Sequence, residues 1–276
     1  MSSKKQIEHT SPLRYLILSM FISIMIVNLI TLLLDVKYRH PFVLLILNIA
    51  AGTASTLGII PIIRYGLAGI HGKSYLFLTI GIILWFTADI IVAYYFIVGM
   101  NELIDVSIVD AFYFMGYGFL SLHLFVIMKE LQREINPIHA IFISIITIIF
   151  VMYVVTNLLF SEFDLNDNFI SIVVSLMYPI LDLILIAPSA IILISLRKNY
   201  QQSIPWFPSY LSLSLFINAI ADDGYVIDFV NGNSENLWVW ELFYVADFIM
   251  MSGALYWYNK FHISHHNKKD TSLRNK

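Results

Sequence analysis

Eight stretches of about 20 or more mostly apolar residues, none with a lysine or arginine, dominate the chain. They run over 15–34, 41–63, 75–99, 108–128, 138–160, 169–196, 207–230 and 237–258. A helix of about 20 residues crosses a hydrocarbon core about 30 Å thick, and it satisfies its own backbone polar groups where water is absent. The pattern therefore predicts an all-α integral membrane protein with eight transmembrane helices. Composition agrees: 59% of the 276 residues are hydrophobic and 13% are charged, too few charges to cover a soluble surface. A soluble enzyme, a disordered regulator and a nucleic-acid binder are excluded. The first stretch exceeds the apolar core of a cleavable signal and reads as a span.

If the stretches alternate in direction, the basic residues sort by side. Of the 16 lysines and arginines, only Lys37 and Arg39 fall opposite the N-terminus. Basic loops stay on the cytoplasmic side, so both termini are expected in the cytoplasm of a multi-pass protein of the cell membrane. The acidic loops NELID (101–105) and SEFDLNDN (161–168) then lie outside. The expected layout is a cytoplasmic tail 1–14, four helices over 15–128, four more over 138–258, and a basic cytoplasmic tail 261–276. The sixth stretch is the longest, and Pro179 or Pro188 is expected to tilt or kink it.

The two halves echo each other. Ser74-Tyr-Leu and Ala88-Asp89 in the third stretch match Ser209-Tyr-Leu and Ala221-Asp222 in the seventh. Asp110-Ala-Phe-Tyr113 in the fourth matches Glu241-Leu-Phe-Tyr244 in the eighth. Four crossings return a chain to its starting side, so these halves read as parallel repeats about an axis near the membrane normal.

Acidic residues inside the stretches carry the strongest functional signal: Asp89, Asp110, Asp182, Asp222, Asp223, Asp228, Glu241 and Asp247. Asp110, Asp228 and Glu241 lie near the outer boundary, where water can hydrate them. Five deeper aspartates facing lipid at about 2.5–3.5 kcal/mol each would exceed the whole stability of a typical protein, about 5–15 kcal/mol. They are expected to line a bundle interior or a wet cavity that opens outward. Asp222, Tyr225 and Asp228 share one helix face, as do Glu241, Tyr244 and Asp247. Tyr113 and Tyr117 stack with Asp110, and Tyr178 stacks with Asp182. A tyrosine donates its hydroxyl to a carboxylate while its ring suits apolar surroundings. With no lysine or arginine in the stretches, the acids hold protons, take in water or bind an external cation. The candidate ligand- or ion-binding set is Asp89, Asp110, Tyr113, Tyr178, Asp182, Asp222, Asp223, Tyr225, Glu241, Tyr244 and Asp247. A plain interhelical hydrogen-bond network is the alternative.

Other chemistries find little support. No cysteine is present, so disulfides, thiolate metal sites and cysteine nucleophiles are excluded. His123 stands alone within a stretch and reads as a packed, hydrogen-bonded residue; a bis-histidine haem would need two. No cofactor is expected. GIHGK (69–73) lacks the length and the Ser/Thr of a phosphate loop and reads as a turn. No nucleophile–base pair or metal triad marks an enzyme.

The segment MYPILDLILIAPSAIILI, with Tyr178, Pro179 and Asp182, joins Trp85, Ala88, Asp89, the run from Asp110 through Tyr113 and Gly116 to Tyr117, and Ala221-Asp222. This outline resembles the multi-span sensory regions that precede GGDEF, EAL or histidine-kinase modules in prokaryotic signalling proteins, over residues 74–258. The resemblance implies a stand-alone input module, since no output module follows residue 260, and one that signals through a protein partner. Two functions are therefore expected: a ligand-responsive sensory module, or a small proton- or cation-coupled transporter using the same acids. The bilayer, a cation, proton or small ligand, and a signalling protein are the expected partners.

Overall fold

The computed structural model describes residues 2–65, 69–99, 106–160, 169–198, 206–230 and 237–262. Among the described residues the chain forms eight α-helices and no strands. They are α1 (Ser2–Leu33), α2 (Val36–Tyr65), α3 (Gly69–Val98), α4 (Ile108–Glu130), α5 (Pro137–Phe160), α6 (Phe169–Lys198), α7 (Trp206–Val230) and α8 (Leu237–Trp257). A π-helical turn, Tyr258–His262, extends α8. Each apolar stretch occupies one helix, and this is an all-α membrane-type architecture. Seven helices are long and apolar enough to cross a bilayer. The exception is α7, which is long enough but carries Asp222, Asp223 and Asp228. By apolarity alone the count is thus seven rather than eight.

Two boundaries differ from the sequence reading. Residues 2–14, expected as a tail, continue α1 through Pro12, because hydropathy marks what lipid accepts and not where backbone hydrogen bonding stops. Gly69–Lys73, expected as a turn, forms the start of α3, where the first N–H groups need no partner within the helix. The expected outer loops 101–105 and 161–168 and the tail from 263 onward lie outside the described residues. The sixth helix is assigned as one unbroken segment through both Pro179 and Pro188.

Six helices close a ring: α2 packs on α3, α3 on α4, α4 on α6, α6 on α7, α7 on α8, and α8 back on α2. The other two are peripheral, α1 against α8 and α2, and α5 against α6 and α7. Their outer faces are apolar and exposed, with Phe21, Met25 and Leu29 on α1 and Ile141, Ile145 and Ile149 on α5. That is what a lipid-facing surface requires. Close approach within the ring rests on two glycines. A Cβ on Gly116 would lie 2.3 Å from the Trp85 ring, and one on Gly224 would lie 2.4 Å from Trp240.

The interior is divided along the membrane axis. Toward the end where α3 and α7 start, it is filled by Leu78, Ile82, Leu120, Leu124, Leu211, Leu215, Met251 and Leu255, all fully buried. Toward the opposite end, where α2, α4, α6 and α8 start, it holds the acids.

The apolar end is locked by a backbone defect and its repair. Pro61 has no N–H, so the Leu57 carbonyl four residues earlier lacks its helical donor. Asn259, in the π-helical turn, supplies one: its Nδ2 donates to that carbonyl at 2.9 Å. Beside it, the Thr79 hydroxyl donates to the Gly58 carbonyl at 3.0 Å, and Tyr258 stacks on Tyr75 at 4.3 Å between ring centroids. Together these clamp α8 and α3 to the weakened turn of α2. Replacing Asn259 by Leu should lower stability by about 1–2 kcal/mol. The loss should shrink in a Pro61→Ala background, where Leu57 regains a backbone donor; denaturant unfolding in micelles of the four variants of this cycle measures the coupling.

Candidate functional site

The centre of the acidic half is Tyr117, 1% exposed on α4. Its hydroxyl lies 2.6 Å from Asp182 Oδ1 on α6 and also contacts Asp222 Oδ2 on α7. A phenol carries one hydrogen. It donates to one carboxyl, and the other carboxyl must bring a proton to the phenol oxygen. Asp222 also accepts from the Tyr244 hydroxyl of α8 at 2.5 Å. On α3, Asp89 accepts from the Tyr113 hydroxyl of α4 at 2.7 Å. Asp247 of α8 accepts from the Ser214 hydroxyl and from Asn218 Nδ2 of α7, the latter at 3.0 Å.

These groups converge. Tyr117 joins Asp182 to Asp222, Asp223 is the next residue along α7, and Asp247 is bonded from Ser214 and Asn218, which precede Asp222 on the same helix. Asp182, Asp223 and Asp247 are fully buried and Asp89 is 5% exposed. Among the described residues no lysine or arginine is paired with them. Asp89 Oδ2, Asp182 Oδ2 and both oxygens of Asp223 are buried with no hydrogen-bond partner. Acid oxygens in that setting bind a proton, a water or a cation. Among the described residues, no three histidine or acidic side chains are arranged to hold a metal ion. Two cavities lie elsewhere: one between α1 and α8 beside Met20 and Gly253, the other a groove on α2 beside Asn48, Gly52 and Phe86.

The remaining candidates sit at the acidic end, each with a partner. Asp110 does two tasks: Oδ2 accepts the Ser107 N–H in a capping box at the start of α4, and Oδ1 accepts the Tyr178 hydroxyl of α6 at 2.7 Å. Asp228 accepts from Trp240 Nε1 at 2.7 Å. Glu241 lies 2.7 Å from His40 Nδ1 on α2, and Tyr225 lies one turn beyond Asp222 on α7. Asp110, Asp228 and Glu241, which their boundary position would allow water to hydrate, are held by protein side chains; that position says nothing of a partner on another helix.

Tyr117 lies on the face expected from the sequence but is absent from the candidate set, and its central position depends on helix α4 meeting both α6 and α7. Ser214, Asn218 and His40 were not singled out. Ser214, Asn218 and Asp222 follow a spacing of four along α7, a polar stripe that was visible in the sequence. His123 is buried, with Nδ1 at 2.8 Å from Ser74 Oγ and 2.9 Å from its carbonyl, the packed role read for it.

Comparison with protein-family models, curated proteins and solved structures finds no match to the chain.

Because Tyr117 serves two carboxyls and Tyr113 serves one, Tyr117→Phe should destabilise by about 1–3 kcal/mol and by more than Tyr113→Phe. Adding Asp182→Asn to Tyr117→Phe should recover part of the loss, since an amide facing Asp222 can donate. Unfolding of the purified protein in micelles checks both.

Proposed function

We propose that the chain is a sensory module of the cell membrane, in which the Asp/Tyr centre responds to a proton or small ligand arriving from outside. The response passes as a helix shift to a signalling partner at the cytoplasmic ends of α4 and α8. One observation carries this reading. The residues of the sensory-region resemblance (Trp85, Asp89, Asp110, Tyr113, Tyr117, Tyr178, Asp182 and Asp222) all take part in interhelical side-chain hydrogen bonds of the acidic half. Trp85 takes part as well, its Nε1 donating to the Tyr113 carbonyl at 3.2 Å. A packed network with several bonding patterns suits a two-state element better than a permeation path.

The finer architecture belongs to the same proposal. All eight helices cross, α7 included, since 25 residues of helix reach about 37 Å and its acids turn toward neighbouring helices. Both termini are cytoplasmic by the distribution of lysine and arginine. The halves 15–128 and 138–258 are parallel repeats. Three features support that: α2, α3 and α4 pack in the same order as α6, α7 and α8; α1 and α5 are both peripheral; and Tyr113–Asp89 is matched by Tyr244–Asp222.

The unpartnered oxygens of Asp182 and Asp223 favour a second reading, a proton- or cation-coupled transporter. One set of vesicles separates the two. The cysteine-free chain accepts spin labels at Lys129→Cys and Lys260→Cys alone. A sensor should change the label separation when outside pH falls by about two units, lose that change in Asp182→Asn, and leave an imposed pH gradient intact. A transporter should dissipate the gradient, and Asp89→Asn or Asp222→Asn should stop it while still inserting. No change in either readout would leave the centre as a structural network.

A further inference from the structure

The ring closes at two seams between the halves, α4 against α6 and α8 against α2. At the acidic end each seam is fastened by an acid near the start of α4 or α8. These acids, Asp110 and Glu241, hold matching places in the two halves. Their partners differ. Asp110 is held by the Tyr178 phenol, whose proton stays on to about pH 10 in water. Glu241 is held by the His40 imidazole, which changes charge in the physiological range. Otherwise similar fasteners have therefore been given unequal responses to pH.

We infer that the α2–α8 seam is the proton-responsive entrance of the bundle: the His40–Glu241 pair holds it shut when His40 is charged and releases it when His40 is neutral, exposing the path through Tyr225 and Tyr244 to Asp222. The proposal rests on the sensory reading only for which side is outside. The surroundings of the pair support it. Glu241, from α8, is the charged group that acts on His40. From α3 the neighbour is the Phe96 ring, edge-on at 5.0 Å. From α7, Tyr225 feels the charge of Glu241 and does not act on His40. The adjacent cations are turned to other partners: Arg39 bonds the Leu34 carbonyl and lies over Trp238, and Lys37 lies over Tyr38. The imidazole is also accessible to solution, with its side chain 40% exposed against 10% for Glu241. Behind the pair, Tyr244 follows Glu241 by one turn on α8 and Tyr225 lies one turn beyond Asp222 on α7; from Tyr244 the hydrogen-bonded partners run without a basic group to Asp222, then Tyr117 and Asp182.

A single cysteine at Tyr225, treated in vesicles with a membrane-impermeant thiol reagent, reads entry at this seam. Thiol reactivity itself rises with pH, so a cysteine at exposed Lys37 serves as the reference. Between about pH 5.5 and pH 8 the ratio of labelling at 225 to that at 37 should rise about fivefold. His40→Tyr, which installs the partner type found at the other seam, should hold the ratio low at both values. His40→Ala should hold it high at both. Spin labels at Val36→Cys and Phe243→Cys, both exposed, should move apart by about 2 Å over the same range, and this pair leaves Tyr225 in place. A labelling ratio or a separation that ignores pH, or that His40→Tyr does not alter, overturns the proposal. These readouts are at the acidic end, so their failure is distinct from an unmoved pair at Lys129 and Lys260, which bears on the sensory reading alone.

Discussion

Hydrocarbon does not solvate an ionised carboxyl, and the arrangement of this bundle follows from that constraint. Five deep aspartates in spans without lysine or arginine are housed by turning inward, and four of them are met by hydroxyl or amide donors. The fold gathers them from α3, α6, α7 and α8 and supplies Tyr113, Tyr117, Tyr244, Ser214 and Asn218 as donors. Tyrosine suits the task because its ring packs among leucines while its tip bonds an acid. Donors do not match every acid oxygen, and among the described residues both oxygens of Asp223 are left without a hydrogen-bond partner. The shortfall is where proton chemistry enters.

Much of the fold could be read from the chain. The positions of the helices follow from the long apolar stretches, since a bilayer imposes one length and one backbone solution. The inward direction of the acids follows from energetics alone. Less legible was which helices meet. Glu241 offers no hint in its own segment that it bonds His40, a residue 201 positions away, and Asn259 offers none that it serves Leu57. Contacts of this kind depend on ring closure, which short-range pattern does not encode. Nor does a hydropathy window show where a helix ends, as Ser2–Arg14 and Gly69–Lys73 illustrate.

The division of the interior gives the site its direction. Fully buried leucine, isoleucine and methionine fill one half of the ring and exclude water there, so communication with the acids has to come from the other half. A small rearrangement at the acidic end can then act on the centre without opening the bundle from side to side. That separation is compatible with sensing and is what a transporter would have to overcome.

The repair of the Pro61 defect has a bearing on biogenesis. Asn259 follows Leu57 by 202 positions, so the second helix is made well before the donor that repairs it. Chains are built from the N-terminus, and long-range closure is slow because loop entropy must be overcome first. The repaired turn of α2 therefore forms only after the residues that follow α8 have been made. A truncation shortly before residue 259 would strand the protein at that stage.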